Sequence, residues 1–285
     1  MTKEEKMLSA FANILYVKEG VRISPKDLKS TKADNVLSEE ILIIIQKYQP
    51  YFEKIEEVVE FIDNIRNPYG IYDFVRKYAL ANGTIHYRDI EIFNKKINEK
   101  EIVKVEDYYE ANYPEEYVII MIDHIGLISP EKNYDTGLPM TLHESIGKLS
   151  SDYLLKLRNR FNYIPVVIQQ QAAAQESVEN KKYNKLKPSL DGLAGNKETQ
   201  RDASVVVGLF SPFRHEIPDY LGYDVIFFKD NIRFLEILGG REGGAGTICP
   251  LYFDGAVNYF KELPLPNDTQ TLEIVKKLIN NIRKK

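Results

Sequence analysis

Residues 117–123 read Tyr-Val-Ile-Ile-Met-Ile-Asp, a nearly unbroken apolar run that ends in an acid. Such a run is typical of a strand buried on both faces, as the strands of parallel sheets are. Residues 164–171 (Ile-Pro-Val-Val-Ile-Gln-Gln-Gln) form a second run, with amides at its end. Between them, Thr-Leu-His-Glu at 141–144 has the spacing of a capping box and predicts a helix to about Arg160. This order predicts an α/β domain with a mostly parallel central sheet.

The rest of the chain divides into a helical first part and further strands. Strands are expected at 204–210, 223–228, 232–238 and 247–253, the last three as antiparallel partners at one sheet edge. Before them, Ser38 opens a helix that Pro50 is expected to bend or end, another is expected at 52–65, and Pro68 begins a third. We therefore expect residues 1–115 to be mainly helical, 116–263 to hold the main sheet, and 264–285 to form a helical tail.

The composition is that of an ordinary soluble globular protein, with 285 residues, 44% hydrophobic and 28% charged. No run approaches the roughly 20 apolar residues of a membrane span. Charges in the first residues exclude the apolar core of a signal peptide. The single cysteine, Cys249, excludes an internal disulfide. The formal charge of −4 provides no global basic field, so nucleic-acid contacts would need local patches. We expect a cytoplasmic protein without a membrane partner.

Polar side chains stand at both strand ends, where open α/β sheets bind their ligands. Asp123 closes the first run, and a carboxylate there suits the water shell of a nucleotide-bound Mg²⁺. A strand-end acid also serves simply to cap a turn. The glutamines at 169–171 are either turn formers or a sensor that hydrogen-bonds a γ-phosphate and passes the signal to a DNA-facing loop. Neither feature alone decides the function.

The order of the segments carries more information than any one of them. They are VIIMIDHIGLIS (118–129), a capped helix, IPVVIQQQ (164–171), LDGLAGNKETQRDASVVVGLF (190–210) and LEILGGREGGAGTICPLYFD (235–254). This succession resembles the C-terminal motor domain of DnaB-type replicative helicases, including phage versions, over residues 1–263. The resemblance implies a RecA-like P-loop NTPase core with antiparallel edge strands, and ATP and Mg²⁺ as cofactors. It also implies single-stranded DNA as partner, a hexameric ring of identical subunits, and contacts with a primase or a helicase loader.

The resemblance assigns roles to single residues. Asp123 matches the Mg²⁺-associated aspartate of the family's Walker B strand, and Gln171 matches the glutamine that couples the γ-phosphate to the DNA loop. Within 194–202, which matches the loop that touches DNA phosphates, Lys197 is the best charged candidate. Arg241 matches the arginine that reaches the neighbouring subunit's ATP site and stabilises transition-state charge. The alternative for Arg241 is a solvated hairpin charge.

A lysine-rich run lies between the second strand and the expected DNA loop. Residues 180–187 read Asn-Lys-Lys-Tyr-Asn-Lys-Leu-Lys and contain Lys181, Lys182, Lys185 and Lys187. The run is either a solvated loop or part of a channel lining. In a channel, its lysines would contact phosphates and its tyrosine would stack on a base.

The sequence departs from the family in its phosphate-binding part. No G-x-x-x-x-G-K-[ST] motif occurs, and the glycine cluster at 239–246 contains no lysine. The family's first strand, its phosphate loop and its catalytic glutamate would lie before residue 1. Alanines stand at 173–174 in place of an Asn-Arg pair, Gly239 replaces a lysine, and Arg201 an often-found glutamine.

Two interpretations fit these departures. The chain is a fragment of a helicase motor and inactive alone, which we favour because the sensor and arginine positions remain. Alternatively, it is a short protein that has lost catalysis and binds single-stranded DNA or a helicase partner. A related recombinase or circadian-clock-type RecA protein is the nearest alternative within the fold. Without the first strand, an apolar strip of the sheet is expected to lie open and favour self-association.

Overall fold

A computed structural model describes residues 2–29, 37–94, 98–133, 136–173, 177–182 and 185–283. The chain divides into two compact units. We call one the sheet unit (1–62, 179–188 and 205–285) and the other the hairpin unit (63–178 and 189–204). Among the described residues, no helix combines the length and the apolar character needed to cross a membrane.

The helices and strands alternate irregularly along the chain. In order they are α1 (Lys3–Glu19), α2 (Pro25–Lys29), α3 (Glu39–Val58), α4 (Pro68–Ala81), β1 (Gly83–Asn94), β2 (Glu99–Ala111), β3 (Ile119–Ile122), α5 (Leu142–Lys148), α6 (Leu155–Phe161), β4 (Ile164–Val167), α7 (Val178–Lys182), α8 (Glu198–Asp202), β5 (Val205–Phe210), β6 (Asp219–Tyr220), β7 (Tyr223–Asp224), α9 (Val225–Phe228), β8 (Ile232–Gly240), β9 (Ile248–Asp254), β10 (Tyr259–Glu262) and α10 (Thr269–Arg283). A π-helical segment, Leu149–Leu154, joins α5 to α6.

In the hairpin unit, β3 and β4 form a parallel pair, with Ile122 opposite Val167. A parallel pair needs a long crossover connection, and α5, the π-helical segment and α6 provide it. The helical crossover begins at the predicted capping box, since the Thr141 side chain accepts from the Glu144 N–H and the Glu144 carboxylate accepts from the Thr141 N–H. The predicted strand, helix and strand are therefore confirmed.

In the sheet unit, four strands lie in the order β10-β9-β8-β5. Every neighbouring pair in this sheet is antiparallel. The described strand pairings therefore do not show the mostly parallel central sheet that was expected. Among the described strands, only β3 and β4 pair in parallel. Short turns join β8, β9 and β10, and such turns connect antiparallel neighbours only.

Three expectations about local structure need correction. Helix α3 runs through Pro50 to Val58, and 59–65 is not helical; Pro50 is exposed at the helix surface. Residues 83–94 and 99–111, in the part expected to be mainly helical, form the antiparallel strands β1 and β2, since apolar residues alternate with polar ones along much of both strands. The strand expected at 223–228 stops at Asp224, whose side chain accepts from the Phe227 N–H and caps α9.

The C-terminal helix, expected as a tail, packs into the core of the sheet unit. Leu272 and Ile279 of α10 are buried in one cluster with Phe228, Ile232 and Phe234. The hydrophobic effect favours this packing, because it removes the apolar face of α10 from water.

The parallel pair β3–β4 is covered on one face only. On that face, Ile120 and Ile122 pack against a cluster that includes the buried Leu149 and Leu157. The other face remains exposed, with Ile119, Met121, Ile164, Val166 and Ile168 between 37% and 64% accessible. Strands of parallel sheets are ordinarily buried on both faces. An open apolar strip of the kind expected from the sequence is therefore present.

The chain after β3 is fixed to the helices by a buried carboxylate. Glu131 is 7% exposed, and it accepts a hydrogen bond from the Tyr69 N–H in the first turn of α4, where a negative charge is favourable. Lys148 Nζ, at the end of α5, lies 3.4 Å from the other carboxylate oxygen. One side chain thus joins the segment that follows β3 to two helices.

We predict that Glu131→Gln lowers the free energy of unfolding by about 2–4 kcal/mol, because it leaves the partly buried Lys148 without its anion. The exposed Glu115, changed to Gln, serves as the matched control. Urea denaturation measures both. Equal stability of the two variants would show that Glu131 does not hold these elements together.

Candidate functional site

The end of β3 presents a carboxylate to solvent. Asp123 follows the strand directly and is exposed. The chain then turns inward, because Ile125 is buried and its N–H donates to the Ile168 carbonyl beyond β4, at 3.0 Å. The ends of the two parallel strands are thereby held side by side, with Asp123 at the surface.

The end of β4 is bonded to the segment 189–199 through two glutamines. Gln169 Nε2 donates to the carbonyls of Ala194 and Asn196, and its Oε1 accepts from the Thr199 hydroxyl at 2.7 Å. Gln171 makes longer bonds, 3.3 and 3.4 Å, to the carbonyl and N–H of Ser189. Both side chains therefore act as links between the strand end and this segment.

Backbone hydrogen bonds reinforce the same connection. The Ala172 N–H donates to the Gly192 carbonyl at 2.7 Å, and the Ala194 N–H donates to the Gln170 carbonyl at 2.9 Å. Segment 189–199, which overlaps the stretch 194–202 that the resemblance assigns to DNA contact, is thus paired to the chain that continues from β4. Of the Ala-Ala pair that departs from the family pattern, Ala173 is described and Ala174 lies outside the described residues.

A second anchor joins this segment to the start of α5. Asn196 is 4% exposed; its Nδ2 donates to the His143 carbonyl at 2.9 Å and its Oδ1 accepts from the Glu198 N–H. Gly147 lies so close that an added Cβ would stand 2.7 Å from Asn196 Nδ2. The segment is therefore fixed on two sides.

Three of the candidate DNA-binding lysines stand beside acids. Lys197 Nζ lies 3.0 Å from Asp191, Lys187 Nζ lies 2.9 Å from Glu236, and Lys181 contacts Glu216. The hydrogen bond from Lys181 lowers the pKa of Glu216, and the bond to Glu236 raises the pKa of Lys187. The pairs Lys181–Glu216 and Lys197–Asp191 are exposed on both sides, and exposed pairs are weak, so a DNA phosphate can replace the acid there.

The remaining lysines of the run are less informative. Lys185 is exposed and its N–H donates to the Asn180 carbonyl at 2.8 Å. Lys182 is the last residue of α7, and its side chain is not among the parts of the chain that the structure describes. Residues 183 and 184 also lie outside the described residues, and residue 183 is the tyrosine that was expected to stack on a base.

Arg241 occupies the tip of the β8–β9 hairpin in the sheet unit and is exposed. The glycine cluster forms a tight turn, as the sequence indicates. Gly243, Gly244 and Gly246 have φ of 98°, 81° and 86°, a region that side chains disfavour. The turn is closed by hydrogen bonds between Ile237 and both Gly246 and Thr247.

The site residues fall into two groups by unit. Asp123, Gln171 and Lys197 belong to the hairpin unit, whereas Arg241 and the lysines of 181–187 belong to the sheet unit. Asp123 suits the water shell of a nucleotide-bound Mg²⁺, since that shell needs a carboxylate but no cage of protein ligands. In the part of the chain that the structure describes, no group of three His, Cys, Asp or Glu side chains is placed to hold a metal ion directly.

Sequence reasoning missed the roles of two residues. In the sequence, Gln169 is one of three consecutive glutamines, and its direct bonds to 194–199 depend on tertiary structure. Asn196 gave no signal beyond its position next to Gly195, because an asparagine in a polar loop is ordinarily solvated.

Comparison with known proteins supports the fold. The structure is similar to a solved structure of an ATPase domain, with a TM-score of 0.58 and 17% sequence identity, over 93% of this chain and 72% of that chain. No protein-family profile matches this chain, and no curated protein matches it. At this identity the similarity concerns the fold alone. The chain thus shares the α/β fold of that domain.

We predict that Asn196→Ala lowers the free energy of unfolding by about 1–3 kcal/mol, because it leaves the His143 carbonyl and the Glu198 N–H without their partner. The same variant should speed amide hydrogen exchange across 189–199. Asn112→Ala, at an exposed asparagine of the same unit, is the control. Unchanged exchange in 189–199 would contradict a fixed segment.

Proposed function

We propose that this chain is the ATPase motor portion of a hexameric replicative DNA helicase, which unwinds duplex DNA by translocating on single-stranded DNA. The observation that carries the proposal is the set of hydrogen bonds between the end of β4 and segment 189–199. A motor must transmit a change at its nucleotide to its DNA contact. Here one strand end carries the candidate sensor Gln171 and holds the loop that contains Lys197.

ATP and Mg²⁺ are the cofactors of such a motor, and the chain fits them in part. Asp123 would hold the water shell of the metal. For the phosphates, the 285 residues contain no G-x-x-x-x-G-K-[ST] motif. The proposal therefore requires a phosphate-binding loop supplied by polypeptide outside these residues, and the chain alone is expected not to hydrolyse ATP.

Assembly into a ring gives the remaining residues their roles. Arg241, exposed at a hairpin tip, would serve a neighbouring subunit's nucleotide, where an arginine stabilises charge on the transferred phosphoryl group. Lys181, Lys182, Lys185, Lys187 and Lys197 would contact DNA phosphates. A primase or a helicase loader is the further partner that this function implies.

DNA-stimulated ATP hydrolysis tests the proposal, measured for this chain and for a version extended upstream in its genome. We expect activity only in the extended version. There, Arg241→Ala should reduce the rate by about 10³-fold or more. Arg214→Ala, at another exposed arginine of the sheet unit, should leave the rate unchanged. An extended protein without DNA-stimulated hydrolysis would overturn the helicase proposal.

The lack of a phosphate-loop motif favours a second candidate. A non-catalytic RecA-like protein would bind single-stranded DNA, or join a helicase ring as a partner, without ATP turnover. It would show DNA binding that weakens with salt, while hydrolysis would be absent from both versions of the protein.

Both candidates predict that Asp191→Asn strengthens binding to single-stranded DNA by about 2- to 5-fold at low salt. The change releases the Lys197 ammonium from its pair and removes a negative charge near the phosphates. Fluorescence anisotropy with an oligothymidine measures it. Asp152→Asn, at an exposed aspartate of the same unit, controls for net charge. Equal gains in both variants would contradict a specific role of Lys197.

A further inference from the structure

Of the two glutamines that link β4 to segment 189–199, Gln169 makes the closer contacts. Its Oε1 lies 2.7 Å from the Thr199 hydroxyl, and its Nε2 lies 3.1 Å from the Asn196 carbonyl and nearer still to that of Ala194. The two bonds of Gln171, by contrast, are 3.3 and 3.4 Å long. Hydrogen bonds weaken as they lengthen beyond about 3.2 Å. Gln169 is therefore the stronger side-chain link.

The contacts of Gln169 lie on both sides of Lys197. Two carbonyls on its N-terminal side and one hydroxyl on its C-terminal side are held by a single carboxamide. Lys197 is the N-cap residue of α8, with φ −85° and ψ −9°, so its backbone lies within the clamped stretch. Loss of the carboxamide would loosen the backbone that carries the ammonium group, since the Asn196 side chain and the backbone bond at Ala194 would remain.

Backbone order matters for this lysine because its side chain is long. A lysine side chain loses rotamer entropy when it is fixed, and this cost offsets part of what a contact with an exposed phosphate gains. A fixed backbone removes a further ordering cost at the moment of binding. The affinity contributed by Lys197 should therefore depend on Gln169.

We infer that Gln169 is a positioning residue that places Lys197 for contact with a phosphate of single-stranded DNA. The inference rests on the proposed function and deepens it, since it names the side chain through which the end of β4 acts on the DNA contact. Gln169 itself need not touch DNA. Gln170, between the two linking glutamines, is exposed and makes no side-chain hydrogen bond within the described residues, so it offers a matched control.

The test is the salt dependence of oligothymidine binding by the full chain. Replacing Lys197 by Ala should lower the slope of log affinity against log salt by about 0.7, the loss of one phosphate contact on a single strand. Gln169→Leu should lower the slope by a similar amount, although it removes no charge. Gln170→Leu should leave slope and affinity unchanged. A variant that is less stable but still folded would keep its salt slope. A lower slope in the uncharged substitution Gln169→Leu therefore indicates the loss of a phosphate contact.

A double-mutant cycle separates action through Lys197 from independent action. If Gln169 positions Lys197, the double variant Gln169→Leu/Lys197→Ala binds no more weakly than Lys197→Ala alone. Thr199→Val removes one bond of Gln169 and keeps the other two, so it should lower the affinity less than Gln169→Leu. This milder variant decides the question if circular dichroism shows that Gln169→Leu is unfolded.

The outcomes are distinct. An unchanged affinity and slope in Gln169→Leu, or additive losses in the double variant, would overturn the inference and leave the proposed function standing. Failure of the unaltered chain to bind the oligonucleotide even at low salt would overturn both.

Discussion

The hydrogen bonds between the end of β4 and segment 189–199 are the constraint on which the site depends. Gln169 and Gln171 supply the side-chain part, and backbone bonds at Ala172 and Ala194 supply the rest. The parallel pairing of β3 with β4 then places this connection beside Asp123. Asp123, Gln171 and the loop that contains Lys197 all belong to one compact unit. The candidate metal-associated acid, the candidate sensor and the candidate DNA loop therefore share a single scaffold.

Charge is balanced locally around the candidate DNA contacts. Lys181, Lys187 and Lys197 each stand beside a carboxylate, so these positive charges are partly neutralised where they stand. Exposed ion pairs are weak enough to exchange. A polyanion with closely spaced phosphates can therefore displace these acids, and salt should weaken its binding strongly.

The strand and helix that define the fold could be predicted from local sequence. The apolar run before Asp123 and the capping box at Thr141 are strong local signals, and both elements form where expected. The hairpin β1–β2 and the continuation of α3 through Pro50 were not predicted, because charged alternating strands and an exposed proline are weak signals. The strand partners of the sheet depend on chain connections that periodicity does not encode.

The site was predictable only to the level of residue type and order. Asp123 and the three glutamines are visible at strand ends, but no local pattern distinguishes Gln169, which bonds to three groups, from the exposed Gln170. The acids beside the lysines are likewise far away in sequence for two of the three pairs. Such contacts arise from tertiary structure, which a single sequence does not specify directly.

Amide hydrogen exchange of the full chain, with and without an oligothymidine, tests the central claim most directly. The account predicts that DNA slows exchange in 189–199 and also at the end of β4, around 168–172, because hydrogen bonds join the two segments. If DNA slows exchange in neither segment, or slows it in 189–199 but leaves 168–172 unchanged, the result would contradict a DNA contact that is connected to the end of β4.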